Sequence, residues 1–168
     1  MIVIQTRRLF IELASTKDAP FFWQLMNSNN WLEFIGDRGI RSKKEAGEYI
    51  RKSLMQSYDQ NGYGLYKMTL KENNVPIGIC GFIKRQYLDH PDIGFALLPD
   101  YEGFGYMREA AAASLAYGSD TLGLNPVLAV TTENNVRSRR LLEKIGLRKI
   151  GTITPPERSE DFMLFSKG

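Results

Sequence analysis

The sequence predicts an α+β fold built on a mixed sheet of six or seven strands flanked by four helices. Two apolar runs separated by the turn residues Asn73 and Asn74 predict an antiparallel hairpin. A strand, an alanine-rich helix and another strand then follow one another over residues 92–131, which predicts a parallel crossover. Antiparallel and parallel pairs therefore share one sheet.

Each element is predicted from a local pattern. Strands are expected at residues 9–13, 65–70, 76–83, 92–98, 127–131, 148–153 and 162–165. The first two helices follow Ser15 and Ser42, each of which has an acidic residue three positions later, as in a capping box. The third helix runs from residue 106 to about residue 122, before Gly123, and Asn135 caps the fourth.

Length and charge limit the possible functions. With 168 residues, the chain is expected to form a single domain over residues 1–168. The net charge is +3, and the basic residues do not form a run of five or six, so we expect neither a nucleic-acid nor a membrane partner. Arg7 and Arg8 interrupt the N-terminus before a signal-like apolar core can form. A cytoplasmic protein is the simplest expectation.

Cys80 is the only cysteine and His90 the only histidine. An intramolecular disulfide is therefore excluded, and no Cys/His cluster is available for zinc. We predict no metal site and a reducing compartment. Cys80 lies in an apolar run with no adjacent base, which favours a buried strand cysteine over a nucleophile.

The segment Gly103-Phe-Gly-Tyr-Met-Arg-Glu-Ala110 has the properties of an anion site. Gly103 and Gly105 allow backbone angles closed to other residues, and the first amides of the following helix lack internal partners. A pyrophosphate suits these amides and the helix dipole, with Arg108 able to assist. A tight turn is the structural alternative. A dinucleotide fingerprint does not fit, because Arg108 occupies the position of its third glycine.

Several motifs together resemble the GNAT N-acetyltransferase superfamily, in the branch that includes the ribosomal-protein N-terminal acetyltransferases. In chain order they are Thr6-Arg-Arg-Leu9, Pro76-Ile-Gly-Ile-Cys-Gly-Phe82, Asp92-Ile-Gly-Phe95, Gly103 to Ala110, Asn135-Val-Arg-Ser138 and Leu142-Glu-Lys-Ile-Gly146. The resemblance covers residues 6–165. It implies an acetyl-CoA-dependent N-acetyltransferase whose sheet is splayed at its centre.

The resemblance also implies which residues contact the co-substrate. The expected acetyl-CoA contacts are Phe95, Leu97, Gly103, Phe104, Gly105, Tyr106, Met107, Arg108, Asn135 and Ser138. An unpaired N–H near Phe95 would stabilise the oxyanion. Family members are often dimers, so a homodimer is an expected assembly.

Two side chains are candidates for proton transfer. Asp92 stands where the branch usually has glutamate, and its shorter side chain favours action through a water; the alternative is a turn aspartate after Pro91. Ser138 is placed to donate a hydrogen bond to the departing thiolate, or else serves as a second helix cap.

We expect the acceptor to be a primary amine, either a protein N-terminus or a small molecule. Trp31 and Phe34 lie in the connection between residues 27 and 37 and are expected either to line the acceptor pocket or to pack onto the sheet. Two other functions stay open. An acyl-CoA-binding regulatory domain would bind coenzyme A tightly without turnover. A purely structural domain would show neither coenzyme A binding nor turnover.

Overall fold

The computed structural model describes all 168 residues and contains one mixed sheet of eight strands. The strands are β1 (Ile2–Gln5), β2 (Leu9–Glu12), β3 (Leu65–Leu70), β4 (Pro76–Ile83), β5 (Asp92–Leu97), β6 (Val127–Thr131), β7 (Arg148–Ile153) and β8 (Phe162–Lys167). Their order in the sheet is β1-β2-β3-β4-β5-β6-β8-β7. The predicted fold class is confirmed. The predicted strand number is too low by at least one, because the short edge strand β1 pairs with β2 although all four of its residues are at least partly exposed.

Five α-helices pack on the sheet instead of the predicted four. They are α1 (Ala19–Met26), α2 (Lys43–Tyr49), α3 (Gln56–Asn61), α4 (Tyr106–Asp120) and α5 (Val136–Lys144). The second predicted helix continues to Asn61 but is divided by a π-helical turn at Ile50–Met55, which produces the extra element. A second π-helical turn, at Trp31–Ile35, lies in the connection between residues 27 and 37, where no helix was predicted.

The predicted N-terminal caps are present. The Ser15 hydroxyl accepts from the Lys17 N–H, and the Asp18 carboxylate accepts from the Ser15 N–H at 2.9 Å. The Ser42 hydroxyl accepts from the Glu45 N–H at 3.1 Å. These contacts satisfy amides that a helix start leaves without partners. Local sequence therefore places the beginnings of the first two helical segments.

The sheet opens between its parallel strands β5 and β6. Asp92 and Leu128 are the one residue pair that joins these strands, supported by a hydrogen bond from the Leu128 N–H to the Pro91 carbonyl at 3.0 Å. By contrast, β4 and β5 pair over six positions. Beyond Asp92 the two parallel strands diverge, as the resemblance implied.

Two amides of β5 point into this opening. The Leu98 N–H donates to the Ile77 carbonyl, which lies on the β4 side, at 2.8 Å. Because backbone N–H directions alternate along a strand, the amides of Phe95 and Leu97 point to the opposite side, toward β6. No residue of β6 pairs with either of them.

Two apolar cores cover the two faces of the sheet. On β4, Cys80 belongs to the core beneath α4 and α5, whereas the next residue back, Ile79, belongs to the core beneath α1 and α2. Helix α4 lies so close to β4 that a Cβ placed on Gly118 would be 2.6 Å from the Phe82 ring. No helix of the protein combines the length and the apolar character needed to cross a membrane.

Candidate active site

The loop before α4 presents free backbone amides. Gly103 and Gly105 have φ angles of +85° and +79°, which side-chain-bearing residues rarely adopt. The Gly105 carbonyl accepts from the Glu109 N–H at 3.1 Å, so α4 begins directly after Gly105, and no side chain caps it. The amides of residues 106–108 therefore have no partner within the helix. This arrangement can bind an anionic group.

Contacts of Arg8 and Glu109 connect this loop to the start of β2. Arg8 Nε donates to the Glu109 carboxylate at 2.8 Å, Arg8 Nη1 donates to the Phe104 carbonyl at 3.0 Å, and the guanidinium lies 4.3 Å from the centre of the Tyr106 ring. Burial opposes ionisation of Glu109, but hydrogen bonds from Thr6 and Arg8 outweigh it and hold its pKa below the ordinary value. Glu109 thus has a structural role, because its carboxylate joins the first turn of α4 to Thr6 and Arg8.

Glu102 connects the same loop to two further elements. Its carboxylate forms an ion pair with Arg137 of α5 at 2.6 Å and accepts a hydrogen bond from the Asn30 amide. Asn30 directly precedes the π-helical turn that carries Trp31. Glu102 therefore links the glycine loop both to α5 and to the π-helical turn at Trp31–Ile35.

A cavity of about 510 Å³ lies at the opening between β5 and β6. It brings together most of the side chains expected to act in chemistry or acceptor binding: Trp31, Phe34, Asp92, Phe95, Asn135 and Ser138. Leu97 and residues 103–108 do not line it. The glycine loop and the cavity are thus separate parts of one candidate site, with β5 running between them.

Asp92 is buried at the narrow end of this opening. Its side chain is 1% exposed, and Arg85 Nε donates to its Oδ1 at 2.8 Å. Burial raises the pKa of the Asp92 carboxyl to about 6, and the Arg85 charge opposes that rise without cancelling it. A carboxyl with this pKa is ionised near neutral pH and can still accept a proton. The structure adds Arg85 as the partner of Asp92, which the sequence did not reveal.

Asn135 and Ser138 lie on the first turn of α5. The side-chain Oδ1 of Asn135 accepts from the Ser138 N–H at 3.3 Å, which makes Asn135 the helix cap. The Ser138 side chain is half-buried at the wall of the cavity.

The two aromatic candidates for acceptor binding differ in their environment. Trp31 is 3% exposed and packs in the core beneath α1 and α2, yet it also lines the cavity. Phe34 is half-buried and lines the cavity as well. The two alternatives drawn from the sequence are therefore not exclusive for Trp31.

Cys80 is fully buried on β4, as predicted. Its thiol contacts the Ser114 hydroxyl of α4 at 3.5 Å, and burial raises the pKa of the thiol to about 12. A thiol with that pKa is almost entirely protonated at neutral pH and is a weak nucleophile.

Arg158, on the loop between β7 and β8, lines the cavity and bonds to a distant element of its wall. Its Nη2 donates to the Ile35 carbonyl in the π-helical turn at 2.6 Å, and its guanidinium lies 5.4 Å from the Phe162 ring. No local sequence pattern signals this contact, because it joins residues 123 positions apart.

A glycine loop at a helix N-terminus beside an opened parallel strand pair defines the chain as an acyltransferase-like α+β protein. Residues 8–148 match the family model described as the acetyltransferase (GNAT) domain. The chain therefore belongs to the GNAT acetyltransferase family. This confirms the predicted enzyme class, with acetyl-CoA as the acyl donor.

Individual relatives agree with this assignment. The uncharacterized N-acetyltransferase YnaD of Bacillus subtilis is 28% identical over 149 residues, which cover 88% of this chain and 84% of that protein. A putative GNAT-family acetyltransferase from Bordetella pertussis has a similar fold, with a TM-score of 0.84, 22% identity and complete coverage of both chains.

The structures that share this fold include ribosomal-protein acetyltransferases. RimL, a ribosomal L7/L12 alpha-N-protein acetyltransferase solved with coenzyme A, has a TM-score of 0.82 and 16% identity. The match covers 99% of this chain and 97% of RimL. At this identity the likeness is one of fold.

Proposed function

We propose that residues 1–168 act as a single domain that transfers the acetyl group of acetyl-CoA to a primary amine by direct attack. The observation that carries the proposal is the opening between β5 and β6, where the Phe95 amide points toward a cavity that contains Asp92 and Ser138. An acetyltransferase needs these groups to be near one thioester.

The co-substrate is proposed to bind along β5. Its pyrophosphate would bind the free amides of the Gly103–Arg108 loop, where the helix dipole favours negative charge. Its pantetheine arm would run between β5 and β6 toward the cavity, within reach of Leu97, Asn135 and Ser138. These residues remain predicted contacts.

The reaction has three requirements that named groups can meet. The amine nitrogen forms a bond to the thioester carbon, and the Phe95 N–H stabilises the developing oxyanion. Asp92, directly or through a water, accepts the proton that the nitrogen loses. The carbon–sulfur bond then breaks, and the Ser138 hydroxyl donates a hydrogen bond to the departing thiolate.

Direct attack is favoured over an acetylated enzyme intermediate. Cys80 is the only cysteine, and its buried thiol has a pKa of about 12. Activation would require an adjacent base, and its hydrogen-bond partner is the Ser114 hydroxyl, which is not one. The same buried thiol is compatible with the cytoplasmic location that we propose.

The test is release of free coenzyme A from acetyl-CoA with a panel of amines, with mass spectrometry to identify the acetylated products. We expect release that depends on the amine and that survives the substitution Cys80→Ala. Tight binding of coenzyme A with no release across a broad panel would instead identify an acyl-CoA-binding regulatory domain.

A further inference from the structure

Basic side chains greatly outnumber acidic ones on the wall of the cavity. Five of them line it, namely Arg38, Lys52, Lys84, Arg85 and Arg158, whereas Asp92 is the only acidic residue that does. Arg85 is already paired with Asp92, and Arg158 lies 3.6 Å from Glu160. The other three basic residues are absent from every ion pair of the protein. The cavity therefore carries uncompensated positive charge.

The pyrophosphate of acetyl-CoA does not account for these basic residues. The amides proposed to bind the pyrophosphate belong to residues 103–108, and none of these residues lines the cavity. The cations instead come from the connection after α1, the helical run 43–61 and the loops after β4 and β7. They surround the space that the amine must occupy to reach the opening between β5 and β6.

We infer, building on the proposed function, that the acceptor is a small amine that also carries a carboxylate or a phosphate. Arg38 and Lys52 bind this acidic group, while the amine faces Asp92 and the thioester. The cavity volume of about 510 Å³ lies in the range of small-molecule sites. The bond from Arg158 to the Ile35 carbonyl joins two elements of the cavity wall, which favours a small molecule over a polypeptide.

The positive charge also serves the chemistry. Nearby cations disfavour a bound ammonium ion, which lowers its pKa and leaves more of the amine in the neutral, nucleophilic form. An acidic group on the same molecule offsets the repulsion and steers the acceptor into the cavity. A diamine or polyamine has no such compensation and is disfavoured.

Matched acceptors test the inference. The rate of coenzyme A release is measured with amino acids and their amides, with 2-aminoethyl phosphate and ethanolamine, and with a diamine. We expect kcat/KM for at least one acidic amine to exceed that of its neutral counterpart tenfold or more, and the diamine to be the poorest. The amino-acid and phosphate pairs show which acidic group is preferred.

Variants test whether the basic residues of the cavity wall cause the preference for an acidic acceptor. In the double variant Arg38→Gln/Lys52→Gln, the KM of the acidic acceptor should rise at least tenfold while the KM of acetyl-CoA stays within twofold. Arg51→Gln is the matched control, because Arg51 is an exposed cation next to Lys52 that does not line the cavity.

The outcomes separate this inference from the proposed function. If neutral amides or diamines are acetylated as well as acids, the inference is wrong although acetyl transfer stands. If an acidic peptide outcompetes every small acid, the acceptor is not a small molecule. If no amine releases coenzyme A, the proposed function fails, and a binding measurement then tests the inference. Acidic amines with coenzyme A must then raise the melting temperature of the wild type more than that of the double variant, and equal shifts overturn it.

Discussion

Asp92 combines burial with one cationic partner, and this combination sets how its protonation affects rate. Burial raises its pKa to about 6, while Arg85 keeps the value from rising further. A general base must be ionised, so activity that depends on Asp92 is present above about pH 6 and is lost as the pH falls through that value. Without Arg85 the carboxyl would be harder to ionise and a poorer base at neutral pH.

Substitution of Asp92 tests this role. We expect Asp92→Asn to lower kcat/KM about 100-fold, within the range ascribed to general-base catalysis. Below pH 6, log(kcat/KM) of the wild type should fall more steeply than that of the variant, by one additional unit per pH unit. Asp89→Asn removes an exposed carboxylate three residues away and should have no effect. Wild-type activity in Asp92→Asn would remove Asp92 from the mechanism.

Ser138 should act on the chemical step and not on binding. The thiolate develops only as the carbon–sulfur bond breaks, so Ser138→Ala should lower kcat roughly 10-fold to 100-fold, the value of a hydrogen bond to a charged group. The dissociation constant of acetyl-CoA, measured by calorimetry, should stay within about twofold. Ser138→Thr retains a hydroxyl and should recover part of the rate. A loss of affinity with unchanged kcat would show that Ser138 binds the pantetheine arm instead.

At the scale of single elements, the glycine loop before α4 has the most specific geometry. Gly105 has a φ of +79°, which a β-branched residue cannot adopt without strain. Acetyl-CoA at 100 times its dissociation constant should stabilise the wild type by about 2.7 kcal/mol. Gly105→Val should abolish most of that stabilisation, as measured by thermal unfolding with and without acetyl-CoA.

The opposite end of the same helix supplies the control for this loop. Gly123 also has a positive φ, +68°, and a Cβ placed on it would have no neighbouring atom within 4 Å. Gly123→Val should therefore weaken the fold through the same backbone strain but keep the shift caused by acetyl-CoA. Equal shifts in Gly105→Val and the wild type would mean that the loop does not bind the co-substrate.

Elements with a local signal could be predicted from the sequence, and elements that depend on distant contacts could not. The hairpin at Asn73 and Asn74 and the cap at Asn135 follow from turn and cap chemistry. Strand β1 was missed because a four-residue edge strand with no buried residue has little pattern. The π-helical turn at Trp31–Ile35 was missed because a buried tryptophan, not a periodic pattern, holds it in place.

The candidate site divides in the same way. The glycine loop and Ser138 belong to motifs that can be read locally. The partners of the acidic side chains, Arg85 for Asp92 and Arg8 for Glu109, become visible only when the chain is folded. The second of these pairs joins residues 101 positions apart, and no local pattern encodes such a pairing.

At the scale of the whole molecule, α4 and the sheet must lie close together for the loop and the cavity to form one site. A Cβ on Gly118 would be 2.6 Å from the Phe82 ring, which is itself buried. Gly118→Ala gains about 1 kcal/mol of helix propensity. Overpacking of about 1–3 kcal/mol outweighs this gain, because the buried ring cannot move away freely.

We therefore expect Gly118→Ala to lower the free energy of unfolding in urea and also to weaken acetyl-CoA binding, because the displaced helix carries the loop. Ser119→Ala, at the next and exposed position of the helix, should change stability by less than about 0.5 kcal/mol. If Gly118→Ala is as stable as the wild type, α4 can shift without a loss of free energy of unfolding.

The contacts of Glu102 have a consequence for the order in which substrates add. Glu102 precedes Gly103, accepts from Asn30 next to Trp31, and pairs with Arg137 of α5. When the co-substrate occupies the loop, it fixes Glu102 and through Asn30 the wall that the acceptor meets. We expect a compulsory sequence in which acetyl-CoA enters first and coenzyme A departs last. Coenzyme A should then inhibit competitively against acetyl-CoA and noncompetitively against the amine, and Glu102→Ala should make the sequence random.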